Sequence, residues 1–90
     1  MLEVRYSTKF KRDFKTCVKR RCKMEKLQQV IDTLRIPETL PLKNADHSLT
    51  GNYLDYRECH IEPDWLLIYR QKGNELFLYR TGTHADLFGI

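Results

Sequence analysis

The chain has 90 residues, 41% hydrophobic and 31% charged, a composition typical of one folded domain with a single modest core rather than of a disordered chain. No run approaches the ~18 apolar residues that cross a bilayer, and the N-terminus lacks the apolar segment of a signal peptide. The three cysteines are an odd number without paired spacing, which favours reduced thiols and a cytoplasmic location over a disulfide framework.

Positive charge is concentrated in the first part of the chain. Residues 1–35 carry eleven Lys and Arg against four Asp and Glu, a net charge of +7, whereas residues 36–90 carry five against eight, a net charge of −3. This asymmetry indicates a cationic face for a polyanion, with nucleic acid as the first candidate. A solvated helix surface without a partner is the alternative.

The N-terminal half predicts one strand followed by two helices. Leu2–Tyr6 alternates apolar and polar residues, as a short strand does, and Ser7 or Thr8 is a suitable helix N-cap. Apolar residues then recur at helical spacing in two runs: Phe10, Phe14, Cys17 and Val18, then Met24, Leu27, Val30 or Ile31, and Leu34. Pro37 is expected to end the second run. We therefore predict a helical hairpin whose apolar stripes cover one face of a sheet.

The C-terminal half predicts a loop and three strands. Ile36–Asn52 looks irregular, with Leu49 anchoring it to the core while His47 stays accessible, and loops of this length are often functional. The strands are expected at Tyr53–His60, Trp65–Arg70 and Glu75–Arg80, with Gly73 and Asn74 supplying positive φ to the hairpin turn, and a polar tail follows over Thr81–Ile90. The order β-α-α-β-β-β predicts a single α+β domain over residues 1–90, with a mostly antiparallel sheet.

Polar side chains suited to acid–base chemistry gather at the predicted strand ends: His60, Asp64, Arg80 and His84. Cleavage of RNA by its own 2′-hydroxyl requires one proton to be removed, another to be donated, and charge on the phosphorane to be stabilised. Histidine suits the proton transfers because its pKa of ~6.5 lies near working pH. Arginine suits the third task because it is permanently charged and forks onto phosphate oxygens.

Each of these residues also has a structural interpretation. His60 could be a hydrogen-bonded histidine at a strand end, Asp64 a cap of the turn after Pro63, and Arg80 a surface ion-pair partner of little energetic worth. Trp65 is of a type that lies in cores more often than on stacking surfaces. A metal site formed by His47, His60, Asp64 and His84 is a further alternative, although no HxxxH or HExxH spacing supports it. Cys59 is either a small buried hydrophobe or a nucleophile.

Three motifs in the second half carry a family resemblance. They are Asp46-His47-x-Leu49-x-Gly51, then Tyr56-Arg57-x-x-His60-x-x-Pro63-Asp64-Trp65-x-Leu67-Ile68-Tyr69, and finally Arg80-Thr81-Gly82-Thr83-His84-x-x-Leu87-Phe88-Gly89. In this order they resemble the YafQ branch of the RelE toxins, which belong to bacterial toxin–antitoxin pairs and cut messenger RNA in the ribosomal A site. The resemblance covers essentially the whole chain, while the helical half matches only in its basic, amphipathic character.

The resemblance implies a role for each site residue. His47, His60, Asp64 and His84 would form the acid–base set, with His84 as the general acid and His60 or Asp64 activating the 2′-hydroxyl. Arg80 would stabilise the phosphorane, and Trp65 and Phe88 would shape the site. The basic residues of the first helix would face ribosomal RNA: Lys9, Lys11, Arg12 and Lys15. Neither a metal nor another cofactor is implied.

The resemblance also implies partners and a location. A cognate antitoxin would hold the toxin inactive, with a toxin–antitoxin heterotetramer as one possible assembly, and the ribosome with its 16S rRNA and the mRNA would be the other partners. The location would be the bacterial cytoplasm, without membrane association. A ParE-like inhibitor of DNA gyrase and a plain nucleic-acid-binding module are the alternative functions, and neither requires several titratable groups at strand ends.

Overall fold

A computed structural model of the protein describes residues 1–36 and 41–89. The strands are β1 (Glu3–Tyr6), β2 (His47–Ser48), β3 (Arg57–Glu62), β4 (Trp65–Lys72) and β5 (Glu75–Gly82), and the helices are α1 (Thr8–Lys19), α2 (Met24–Arg35) and α3 (His84–Phe88). The predicted α+β class is confirmed, while the predicted helix stop at Pro37 lies outside the described residues. Within those residues, no helix has the length and hydropathy of a membrane span.

All five strands form one sheet in the order β1-β5-β4-β3-β2. β1 runs parallel to β5, and the remaining pairs are antiparallel, as the sequence predicted for most of the sheet. β4 lies at the centre, where Leu66, Leu67 and Ile68 are completely buried. Side chains on both sides of this strand are therefore covered, although by different layers.

The two faces of the sheet have different surroundings. We call the side under α1 and α2 the covered face, formed by Cys59, Trp65, Leu67, Tyr69, Leu76 and Leu78. Because successive strand residues point to opposite sides, Glu58, His60, Leu66, Ile68 and Phe77 lie on the other side, the open face. α1 and α2 contribute no residue to the cluster on that side, in which Leu87 of α3 packs against Leu66 and Ile68 together with Leu49 and Tyr53. Much of the open face is therefore accessible to a ligand.

The helical hairpin is confirmed, but its first apolar stripe is narrower than predicted. Phe10 and Cys17 are buried, whereas Phe14 and Val18 are 41% and 51% exposed. Residues four apart advance about 40° round a helix, so Phe14 and Val18 turn progressively away from Phe10. Ser7 is the N-cap, and its side chain accepts from the Phe10 N–H at 2.8 Å.

The second half differs from the prediction in its strand ends and in two elements that were not predicted; β3, β4 and β5 end at Glu62, Lys72 and Gly82 rather than at His60, Arg70 and Arg80. β3 begins at Arg57 because Gly51–Tyr53 forms a 3-10 turn and Asp55 adopts a φ of 76°, which no strand accommodates. The segment predicted as irregular contains β2, paired with β3, and Leu49 packs against the core as expected. The polar tail contains α3, which the Thr83 side chain caps. In the hairpin turn Gly73 has a positive φ and Asn74 does not.

Candidate functional site

Four side chains meet on the open face next to α3, and we call them the histidine cluster: His47, Glu58, His60 and His84. Glu58 and His60 are two residues apart in β3 and therefore point to the same side. β2 pairs His47 directly with Glu58, and α3 begins at His84. The ring centroids of His60 and His84 are 5.7 Å apart, and those of His47 and His60 are 6.5 Å apart. Residues 37 positions apart in sequence thus share one site.

Glu58 lies at the centre of the histidine cluster. Its side chain is 8% exposed, and one carboxylate oxygen lies 3.3 Å from His60 Nε2 and 3.7 Å from His47 Nε2. A carboxylate this poorly solvated needs nearby donors or cations, and the two imidazoles are placed to supply them. Ala45 accepts at 2.7 Å from His47 Nδ1, which leaves His47 Nε2 directed at Glu58. Glu58 therefore lies close to two histidines through a single oxygen.

Asp64 orients His84 from the edge of the cluster. One Asp64 oxygen lies 2.6 Å from His84 Nδ1 and accepts from the His84 backbone N–H at 2.9 Å. These hydrogen bonds, the backbone one first, hold the pKa of Asp64 below its ordinary value, so the carboxylate is ionised and acts only as an acceptor. The Nδ1 atom of His84 must then carry the proton, and its Nε2 atom is left to exchange protons with a substrate.

The cluster also contains the donors of a metal site. One ligand atom each from Glu58, His60 and His84 lies within 4.8 Å of the other two. Two imidazoles and a carboxylate are a ligand set that zinc and copper accept, and Asp64 bonded to the far nitrogen of His84 resembles the outer ligands that orient metal-bound histidines. These three residues are the ones in the described part of the chain that fit a metal ion.

Arg80 is held by an aspartate of α1 rather than by the histidine cluster. Its Nε and Nη2 atoms donate to the two Asp13 oxygens at 2.7 and 3.1 Å, and the Thr81 N–H donates to Asp13 at 3.2 Å. The Asp13 hydrogen bonds raise the pKa of Arg80 further above its already high ordinary value. A guanidinium has five N–H donors, so this fork leaves donors for a phosphate.

Further contacts fix the segments that carry the histidines. Asp46 accepts from Arg57 Nε at 3.1 Å and from the Tyr69 hydroxyl at 2.8 Å, which anchors the residue before His47. At the other end, Asp86 closes the capping box of α3 and accepts from Arg20, the C-cap residue of α1, at 2.5 and 3.1 Å. Both anchors place a histidine without touching its ring.

Comparison with known proteins agrees with this architecture. Residues 2–89 match the family model described as the bacterial toxin of type II toxin–antitoxin system, YafQ. The chain belongs to the YafQ toxin family. It is 45% identical over 89 residues to the mRNA interferase toxin YafQ of Escherichia coli K12, and the alignment covers 97% of this chain and 96% of the relative.

Two solved toxin structures are similar over nearly the whole chain. In the E. coli DinJ–YafQ complex the toxin has a TM-score of 0.91 and 40% identity, covering 99% of this chain and all of the other. A metal-bound toxin from Helicobacter pylori has a TM-score of 0.92 and 42% identity, covering 98% of this chain and all of the other. The first structure contains an antitoxin, and the second a metal.

The structure of this YafQ-family toxin brings together most, but not all, of the predicted site residues. His47, His60, Asp64 and His84 lie side by side, and Phe88 is half-buried in the same helix as His84. In the described residues, no hydrogen bond or ion pair links Arg80 to a histidine. The basic residues predicted to bind substrate are exposed on α1: Lys9, Lys11, Arg12 and Lys15.

Trp65 lies in the core of the covered face. Its side chain is 6% exposed, and its indole N–H donates to the Thr81 hydroxyl at 2.9 Å. The ring is therefore not placed to stack on a base, as the resemblance had implied for Trp65. Cys59 is also buried there, and burial raises the pKa of its thiol, which makes it an inert hydrophobe rather than a nucleophile.

The sequence interpretation missed two residues of the site. Glu58 was passed over because a glutamate in a predicted strand is ordinarily a solvated surface residue. Its spacing from His60 was a usable signal, since residues two apart in a strand share a face. Asp13 carries no local sequence signal, and its contact with Arg80, 67 residues away, follows only from the packing of α1 on β5.

Proposed function

We propose that this YafQ-family toxin, an mRNA interferase, cleaves translated mRNA in the ribosomal A site through attack by the 2′-hydroxyl, without a metal. The observation that carries the proposal is the His84 ring: Asp64 holds Nδ1 at 2.6 Å, and the ring lies 5.7 Å from His60. Two imidazoles this far apart can serve a nucleophile and a leaving group on one phosphate.

His84 is the general acid of this reaction. Protonated at Nε2, it donates to the departing 5′-oxygen, because the Asp64 carboxylate stabilises the imidazolium and fixes the ring in one orientation. Aspartate performs a comparable supporting role in serine hydrolases, where it orients a histidine and does not itself take the proton. This assigns Asp64 to positioning and His84 to proton transfer.

His60 is the base that removes the 2′-hydroxyl proton. The nearby Glu58 carboxylate, 3.3 Å from His60 Nε2, stabilises the imidazolium that results. His47, at 3.7 Å from the same oxygen, supports Glu58 from the other side. Arg80 keeps donors beyond its fork with Asp13, and these would neutralise charge on the phosphorane.

The binding partners follow from charge and from the relatives. The exposed lysines and arginine of α1 suit the phosphates of ribosomal RNA, and such binding would weaken steeply with salt. Because a related toxin crystallises with DinJ, we propose that a cognate antitoxin binds this chain and holds it inactive. The heterotetrameric assembly suggested by the resemblance belongs to the same proposal.

Primer extension on one defined message tests the proposal. Wild type and His84→Ala are compared with and without translating ribosomes, and we expect cuts within codons only from wild type and only with ribosomes. Loss of the general acid should lower the rate by about 100-fold or more. Matching circular dichroism spectra and melting temperatures would show that the variant is folded, and Ala85→Ser, next to His84 on the exposed side of α3, is the matched control.

Each arm of this experiment has a distinct meaning. Folded His84→Ala that cuts at the wild-type rate would refute the assigned acid, and cutting of naked RNA would remove the ribosome from the mechanism. No cutting in any lane, together with inhibition of DNA gyrase, would favour the ParE-like alternative. Added Zn²⁺ or Cu²⁺ should inhibit wild type, because a metal held by Glu58, His60 and His84 would occupy nitrogens needed for proton transfer.

A further inference from the structure

A continuous row of aromatic rings crosses the open face of the sheet. We call it the aromatic row, and its members are Tyr53, Tyr56, Phe77, Tyr79 and Phe88. Tyr56 and Tyr79 are closest, with centroids 4.9 Å apart, and Phe77 stacks against Tyr79 at 6.3 Å. All five side chains are half-buried, so each ring retains accessible surface. Four of the rings pack on the small buried cluster of Leu66, Ile68 and Leu87, outside the larger core under α1 and α2: Tyr53, Tyr56, Tyr79 and Phe88.

The aromatic row reaches the histidine cluster at one end. Tyr53 meets Tyr79 edge-on at 6.1 Å and Phe88 edge-on at 5.8 Å. Phe88 belongs to α3, whose first residue is His84. A chain lying along the row would therefore pass from Phe77 toward the residues that we assign to cleavage.

Cations flank the aromatic row. The Arg70 guanidinium lies over Tyr56 at 5.0 Å and over Phe77 at 5.4 Å, and the Lys9 ammonium lies over Tyr79 at 5.7 Å. Neither cation has a carboxylate within 4 Å among the residues that the structure describes. Arg70 Nε is buried and has no hydrogen-bond partner in that part of the chain. The local charge therefore favours an anionic ligand.

We propose that the aromatic row is a stacking platform for bases of single-stranded RNA next to the scissile phosphate. The proposal rests on the RNA-cleaving function above and extends it by naming the surface that holds the flanking nucleotides. Open sheet faces that bind single strands elsewhere combine aromatic rings, on which about two or three bases stack, with cations for the backbone. An acidic protein segment could pair with the cations, but unlike RNA it has no row of bases to stack on the five rings.

Fluorescence anisotropy with a labelled RNA hexanucleotide tests the platform. Every nucleotide carries a 2′-O-methyl group, which prevents cleavage because no 2′-hydroxyl is left to attack. A second hexamer has the same phosphates but abasic sugars, so it reports charge alone. We expect Tyr79→Ala to weaken binding of the first hexamer about tenfold and to leave the abasic hexamer within about twofold, since stacking contributes about 1–3 kcal/mol per base.

Three further variants make the result specific. Tyr79→Phe keeps the ring and should bind like wild type, and Phe14→Ala removes an exposed ring of α1 and should also change nothing. Phe77→Ala is the second test of the row if Tyr79→Ala does not fold. The proposal is overturned if folded Tyr79→Ala and Phe77→Ala bind the first hexamer as tightly as wild type, or if Phe14→Ala weakens it equally.

Cleavage and stacking can fail separately. A toxin that cuts translated mRNA but binds the hexamer without using the row would keep the proposed function and lose the platform. A protein that binds the hexamer through the row and cuts nothing would keep the platform and lose the nuclease.

Discussion

The two faces of the sheet are built from the same strands but carry different tasks. On the covered face, Cys59 and Tyr69 are enclosed, and burial raises the pKa of both groups so that neither ionises near neutral pH. On the open face, Glu58 and His60 flank Cys59 in sequence but belong to the histidine cluster next to α3. Because successive residues of a strand point to opposite sides, Cys59 contributes to the core while its neighbours Glu58 and His60 contribute to the histidine cluster.

Removing Trp65 should have the largest effect, and it should act on folding. Trp65→Ala deletes a ring that is 6% exposed and leaves the Thr81 hydroxyl without its donor. We expect unfolding free energy to fall by about 3–5 kcal/mol, much of the total stability of a small domain. Urea denaturation followed by circular dichroism measures the loss.

A phenylalanine on the opposite face provides the control. Phe77→Ala removes a half-buried ring of β5 on the open face, and we expect it to cost less than Trp65→Ala because one side already contacts solvent. Equal losses of unfolding free energy from the two variants would show that side chains on the open face contribute as much to stability as those on the covered face.

Asp64→Asn should have a smaller effect and should act on catalysis alone. The Asp64 side chain is 66% exposed, so we expect little change in unfolding free energy. The neutral amide neither stabilises the His84 imidazolium nor fixes its tautomer, and cleavage should slow by about 10- to 100-fold, equivalent to about 1.4–2.7 kcal/mol. Single-turnover rates on ribosome-bound message measure this change.

Double substitution distinguishes positioning from an independent role. If Asp64 acts through His84, adding Asp64→Asn to His84→Ala should slow cleavage no further, because the ring that Asp64 orients is already absent. A further tenfold loss in the double variant would instead favour Asp64 as a base that works separately from His84.

The sequence revealed the open-face histidines because their motifs are local. Asp64 lies in the turn between β3 and β4, and His84 lies just beyond the end of β5, and positions next to strand ends commonly carry functional groups. α3 was missed although Thr83 and Asp86 have the spacing of a capping box, since five residues give too short a periodic pattern to predict a helix.

Local sequence patterns could not predict which distant segments contact each other. The Arg80–Asp13 fork joins residues 67 apart, and the Tyr56–Tyr79 contact depends on β4 lying between β3 and β5. The sequence predicted the strands but not the order of strands in the sheet, which decides which of their side chains meet. Except for Phe88, which the sequence analysis placed at the site, the aromatic row was therefore found only in the structure. Asp13 was found only there as well, because its contact depends on the packing of α1 on β5.

Asp86 connects α3 on the open face to Arg20, the C-cap residue of α1 on the covered face. Removing its charge should have the smallest effect on stability among these substitutions. The Arg20 hydrogen bonds lower the pKa of Asp86 to about 2, so its stabilising contribution is complete above its ordinary pKa and is lost as pH falls through the lowered value. Asp86→Asn keeps a side-chain oxygen for the Thr83 N–H but removes the charge. With both partners partly exposed, we expect a loss of about 1 kcal/mol at pH 7, or about 4–8 °C in melting temperature.

Thermal denaturation between pH 7 and pH 2 tests this assignment. The difference between wild type and Asp86→Asn should shrink from about pH 4 downward and be small at pH 2, where about half of the folded wild type has lost the Asp86 charge. Asp32→Asn, at an exposed site of α2 where the described partner is Gln28, is the matched control and should show little difference. A difference in melting temperature that stayed constant down to pH 2 would mean that Asp86 stabilises α3 through its hydrogen bonds alone. The ion pair between Asp86 and Arg20 would then contribute nothing to holding α3 against the end of α1.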